Sequence, residues 1–151
     1  MNIHKMFKPD YTPKEMFELG IFEGNYFNEK LNLPKVSDLV HLPESAKLMI
    51  ENLNPKLTSS NKPNKLHNYY KVTCGSDYNT WVSKGWINST DPYGWVNWYL
   101  GYHYGRRGDD DDRQIKRWKA FKIRHLGMLK KYPNSNKIKQ GLLNWAIKEP
   151  Y

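Results

Sequence analysis

The sequence predicts an all-α protein: a compact bundle of about four C-terminal helices, with an N-terminal helical segment packed across a long loop. Three observations carry this. Apolar residues recur at three- and four-residue steps from Ile115 to Leu129 and again from Ile138 to Ala146, the period of a helix with one buried face. Helix-start signals stand at Thr12-Pro13-Lys14-Glu15, at Asp91-Pro92 and at Asn134-Ser135. The one strand-like run, Asn68–Thr73, finds no partner strand.

Residues 1–67 read as an N-terminal helical segment and loop, and residues 68–151 as the helical core domain. Residues 1–11 read as an arm. Thr12 and Glu15 form a capping box, with Pro13 at the first helical position and Gly20 as the stop. Phe17, Phe22 and Phe27 are expected in the core. Residues 28–42 read as a loop or a short helical turn. Pro43 opens a helix through Leu53, with Leu48, Met49 and Leu53 expected on its inner side. Residues 54–67 are rich in Pro, Ser, Asn and Lys and read as a long, disorder-prone loop that contributes nothing to a core.

The C-terminal half is aromatic. Five of the six tryptophans, Trp81, Trp86, Trp95, Trp98 and Trp118, fall within residues 81–118, with Tyr93, Tyr99, Tyr102 and Tyr104 among them. Ser76 or Asp77 caps a short helix ending at Gly85. Asp91-Pro92 opens a second that ends near Gly105, in which Gly94 and Gly101 permit close approach to the backbone. Asp109–Asp112 open a third, since negative charge favours a helix N-terminus. It carries Ile115, Trp118, Phe121, His125 and Leu129 to about Lys131. Asn134 or Ser135 caps the last. Hydrophobic residues make up only 38% of the chain while aromatics reach 15%, so the core is expected to be built from rings. Such a stretch is a core or a platform for flat ligands, and we read it as partly both.

Net charge is +9 and the pI about 9.5. This balance suits polyanionic partners, nucleic acid or nucleotides. Plain solubility, or an A/T-rich genome that favours Lys and Asn, competes with that reading. The single cysteine, Cys74, excludes an internal disulfide and a multi-Cys zinc site. No apolar run is long enough to span a bilayer, and the start lacks the apolar middle of a signal peptide. An intracellular, cytoplasmic protein with no membrane partner is expected. Oligomeric state is not legible.

The Arg106–Arg107 turn and the start of the third helix form the expected site. Arg106, Arg107, Arg113, Lys116 and Arg117 are the candidate phosphate ligands, since guanidinium groups grip phosphate through paired hydrogen bonds. Tyr102 and Tyr104 would stack on bases. Lys119, Arg124, Lys130 and Lys131 extend the basic face. The competing reading is an ordinary solvated face whose aspartates pair locally. His103 is a candidate acid or base. Asp111 and Asp112 are candidates for the same role or for holding one of the two arginines. Four contiguous aspartates point in different directions on a helix, so no metal site is expected. The other histidines, His4, His41, His67 and His125, show no ligand spacing, and His125 falls on an apolar face. No Walker loop or dinucleotide glycine motif occurs, and no cofactor is expected.

The segments Phe17–Phe27 (FELGIFEGNYF), Lys84-Gly85-Trp86-Ile87, Asp91-Pro92-Tyr93-Gly94-Trp95 with Trp98-Tyr99, Gly105-Arg106-Arg107, Asp111–Trp118 (DDRQIKRW) and the closing Leu142–Ala146 form a composite pattern. It resembles that of an uncharacterised family of small proteins from large DNA viruses, phages and some algae and fungi. The resemblance implies a viral origin, hence a host cell and work near a viral genome, and carries no catalytic residue. Three functions follow as expectations: a nucleic-acid-binding protein, an enzyme acting on a nucleotide or nucleobase, or a viral structural or assembly protein.

Overall fold

Helix α1 (Pro13–Leu19) begins on its capping box. Thr12 Oγ1 accepts from Glu15 N at 3.1 Å, and Thr12 N donates to Glu15 Oε1 at 2.9 Å. The computed structural model describes residues 3–24, 26, 41–58, 64–73 and 94–150, and every regular element among them is a helix. The expected helix over 76–85, the Asp91-Pro92 start, Trp81, Trp86, Phe27, Cys74 and the loop over 28–40 lie outside those residues.

Gly20 closes α1 with φ +117°. Packing demands it as much as conformation does. A Cβ there would lie 2.2 Å from the His67 carbonyl oxygen and 2.9 Å from Tyr69 N. The Gly20 carbonyl accepts from Tyr69 N at 3.1 Å and from Gln140 Nε2 at 3.0 Å. Phe17 is buried and Phe22 half-buried, as expected.

Helix α2 (Glu44–Glu51) follows Pro43. Its inner side differs from the expected one. Ala46, Ile50 and Leu53 are buried while Leu48 is 50% exposed. Positions 46, 50 and 53 share one stripe at steps of four and three, and Leu48 lies half a turn away.

The loop expected over 54–67 is partly built. Helix α3 (Pro55–Thr58) and a 3-10 turn (Lys65–His67) pack against the turn Phe22–Gly24. Thr58 and Asn68 are buried. Asn68 Oδ1 accepts from Glu23 N at 2.7 Å, and its Nδ2 donates to Val72 O at 2.8 Å. Composition reads such residues as loop formers. Here one of them satisfies backbone groups of two segments, a role hydropathy does not register. Asn68–Thr73 is turn rather than strand.

The C-terminal half contributes α4 (Trp95–His103), α5 (Asp111–Lys131) and α6 (Asn136–Asn144). Helix α4 is buried continuously from Trp95 to Gly101. Ser135 caps α6, accepting from Ile138 N at 3.3 Å.

The largest departure is at the beginning of the chain. Residues 1–11 read as an arm, yet Phe7 is only 8% exposed. Its ring centroid lies 5.0 Å from that of Trp118, 5.4 Å from Trp98 and Tyr102, 5.6 Å from Tyr99 and 6.0 Å from Trp95. Several of these contacts are edge-on, the favoured aromatic geometry. Tyr99 Oη donates to Tyr11 O at 2.6 Å, Asp10 N donates to Ala146 O at 2.8 Å, and Lys148 N donates to Asp10 Oδ2 at 2.9 Å. The segment is short and polar, so its one central ring escapes any periodicity test.

Candidate functional site

The expected site begins where α4 ends. Gly101 permits a close approach, and the group that approaches is Arg106: a Cβ on Gly101 would lie 2.4 Å from Arg106 Cζ. Arg106 Nη1 donates to His41 O at 3.1 Å. Its half-buried guanidinium ties the end of α4 to the residues before α2. Arg107 is exposed but anchored. Its Nη1 donates to the carbonyls of Tyr102 and Arg106, both at 2.8 Å, and its Cζ lies 3.7 Å from the Tyr102 ring centroid.

Tyr102 is therefore covered on one face. Its hydroxyl lies 2.8 Å from His4 Nδ1, and the His4 ring stacks at 5.8 Å between centroids. Burial pushes its hydroxyl pKa up, and Arg107 opposes the shift. Tyr104 is half-buried and edge-on to His103 at 4.9 Å. Desolvation pushes the His103 pKa down, with Glu15 opposing.

The aspartates divide into separate roles. Asp111 is buried and accepts from Trp98 Nε1 at 2.8 Å and from Gly108 N at 3.0 Å. It thereby fastens α5 to α4. Asp110 accepts from Arg113 Nη2 at 2.9 Å and from Gln114 Nε2 at 3.0 Å. Gln114 Oε1 in turn accepts from Arg117 Nη1 at 2.8 Å. Asp109 and Asp112 are exposed. The expectation that Asp111 or Asp112 holds Arg106 or Arg107 is not met in the bonds of Asp111, because the Trp98 indole reaches its carboxylate first. Among the described residues no cluster of three or more His, Cys, Asp or Glu is arranged for a metal ion.

Arg117 is half-buried, with its guanidinium 5.6 Å from the Trp145 ring centroid. Burial lowers its pKa first, and Arg113 adds to the effect. Beside it runs a column of rings. His125 stacks on Phe121 at 3.6 Å, Phe121 on Trp145 at 4.5 Å, Trp145 on Trp95 at 4.9 Å, and Trp95 on Tyr99 at 5.0 Å. These rings join α4, α5 and α6. They are structure, not an outward platform, and His125 belongs to them.

The outer face of α5 is different. Lys116, Lys119, Arg124, Lys130 and Lys131 are all exposed. Between Arg113 and Lys148 the chain carries eleven Lys and Arg and no Asp or Glu. That gap in acidic residues is the signal residue-by-residue inspection passes over, because it is a property of what a stretch lacks. Of the expected phosphate ligands, Arg107, Arg113 and Lys116 stand at the surface. Arg106 and Arg117 are half-buried and engaged. No described helix is long and apolar enough to cross a membrane.

No family model, curated protein or solved structure matches the chain.

Proposed function

We propose that this protein binds nucleic acid through the outer face of α5. The observation that carries the reading is the exposed, carboxylate-free row of cations from Lys116 to Lys131. Among the described residues no ion pair engages Lys116, Lys119, Arg124, Lys130 or Lys131, and the net positive potential of that face attracts phosphates. Arg107 and Arg113 continue the surface toward the start of the helix, each held in place by bonds within the chain. A held guanidinium loses less side-chain freedom on binding than a free one.

The test is fluorescence anisotropy with labelled DNA and RNA across a salt series. If about five phosphates are neutralised, the slope of log K against log salt is about −4.5, or roughly 500-fold weaker binding at 200 mM than at 50 mM salt. The triple variant Lys116→Glu, Lys119→Glu, Arg124→Glu should lose binding while keeping its helical circular-dichroism spectrum. A parent protein that binds neither DNA nor RNA at 50 mM salt, or a triple variant that binds as the parent does, removes the reading.

A further inference from the structure

We infer that the ligand is double-stranded DNA and that α5 lies along its major groove. This rests on the nucleic-acid reading above and goes beyond it by choosing between single strands and duplex.

The first observation concerns the rings. Single-strand binding without sequence preference combines a basic groove with aromatic faces on which bases stack. Here Trp95, Trp98, Tyr99 and Trp118 are buried. Phe121 is sandwiched between His125 and Trp145. Arg107 covers a face of Tyr102. Along α5 no exposed residue is aromatic; among the described residues the exposed tyrosines are Tyr132, just beyond its end, and Tyr69. Along α5 the cations point out, and the described rings that pack against it point in.

The second observation concerns how the cations are spaced. At about 100° per residue, Lys116, Lys119 and Lys130 fall along one margin of the exposed arc. Arg113, Arg124 and Lys131 fall along the other. A groove presents a phosphate strand on each side, and two margins of cations match two strands. A helix about 10–12 Å across fits a major groove about 12 Å wide. The 21 residues of α5 extend about 30 Å, so its central turns can lie in the groove while its ends pass over the flanking phosphates.

Ala120 and Gly127 fall between the two margins and Ile123 falls within the lysine margin, and these residues complete the fit. Ala120, Ile123 and Gly127 are exposed, Ile123 to 66%, and a Cβ on Gly127 would meet nothing within 4 Å. None carries a side-chain hydrogen-bonding group. The centre of the face therefore has nothing with which to read base edges, apart from apolar contact with thymine methyl groups. Recognition falls to the phosphates and the shape of the groove. An A-form RNA duplex, whose major groove is deep and narrow, is excluded by the same geometry.

The experiment uses the full chain and one labelled 20-base-pair DNA duplex, each of its separated strands, and the matching RNA duplex. At fixed salt the DNA duplex should bind at least tenfold tighter than any of the others. A duplex with bulky substituents on cytosine C5, which fill the major groove, should lose at least tenfold. Filling the minor groove with netropsin should change binding less than twofold. Placing carboxylates on that face, Ala120→Glu between the margins with Ile123→Glu among the lysines, should abolish duplex binding; Asn54→Glu on another surface should not. Equal binding of single strands, or indifference to the major-groove block, overturns the inference and leaves the nucleic-acid reading standing. Failure of every nucleic acid to bind overturns both.

Discussion

Removing the Phe7 ring tests whether the first residues belong to the core. Phe7→Ala takes away a side chain that is 8% exposed and touches five rings at centroid distances of 5.0–6.0 Å. Burial of such a side chain contributes about 1.5–3 kcal/mol, and each well-placed aromatic pair adds about 0.5–1.5 kcal/mol. Partial collapse of the neighbours offsets some of the sum, so the observed range of about 3–5 kcal/mol for Phe→Ala applies. The segment is tied at Asp10 and Tyr11 by hydrogen bonds to Ala146, Lys148 and Tyr99, which limits how far it can move to fill the gap. At about 2–4 °C per kcal/mol for a chain of this size, Tm should fall by roughly 6–20 °C. Urea unfolding followed by tryptophan fluorescence measures the change directly, with Phe7→Leu as a partial rescue. A loss below about 1 kcal/mol with an unchanged m-value would show that the first residues lie loosely on the surface, and the reasoning would fail.

Three other outcomes follow from the same structure. Gly20→Ala should destabilise by more than about 1 kcal/mol in urea, because the new methyl group meets the His67 carbonyl at a strained φ; a neutral result would mean that Gly20 and 67–69 are not in contact. Asp111→Ala strands the buried Trp98 indole N–H and should cost about 1–3 kcal/mol, with Asp111→Asn milder; equal stability of all three proteins would contradict the bond. Burial lowers the His125 pKa from 6.5, so the unfolded chain binds a proton more readily than the folded one. The contribution is complete above pH 6.5 and is lost as pH falls below that value toward the folded pKa. His125→Gln should flatten the decline of Tm between pH 7 and 5, and an unchanged slope would argue against the half-buried, stacked ring.

What the sequence made legible divides by type of signal. The capping box at Thr12, the Ser135 cap and the α5 period are local, and each is seen where it was expected. Gly101 was expected to admit a close neighbour, and it does so for Arg106. Phe7, Thr58 and Asn68 were missed because their environments come from segments distant in sequence. One buried phenylalanine among polar neighbours has no period, and an asparagine that satisfies remote backbone groups looks like any turn residue. At the candidate site the residue types were visible but their engagement was not. Nothing local distinguishes Arg106, which folds back across Gly101, from Lys116, which stays in solvent. The division of work among four identical aspartates is likewise set by the Trp98 indole and the Arg113 and Gln114 side chains around them.

The clasp between Asp10 and the Ala146–Lys148 segment spans nearly the whole chain, with a separation of 138 residues for the Lys148 bond. Gln140 reaches Gly20 across 120 residues, and His4 meets Tyr102 across 98. Helical proteins usually fold quickly because their contacts are short-range. This one closes large loops before its rings can meet, so its refolding half-time in a stopped-flow experiment should resemble that of a β-rich domain more than that of a simple bundle. A protein whose described elements are all helices can thus carry the kinetics of a topology that its secondary structure conceals.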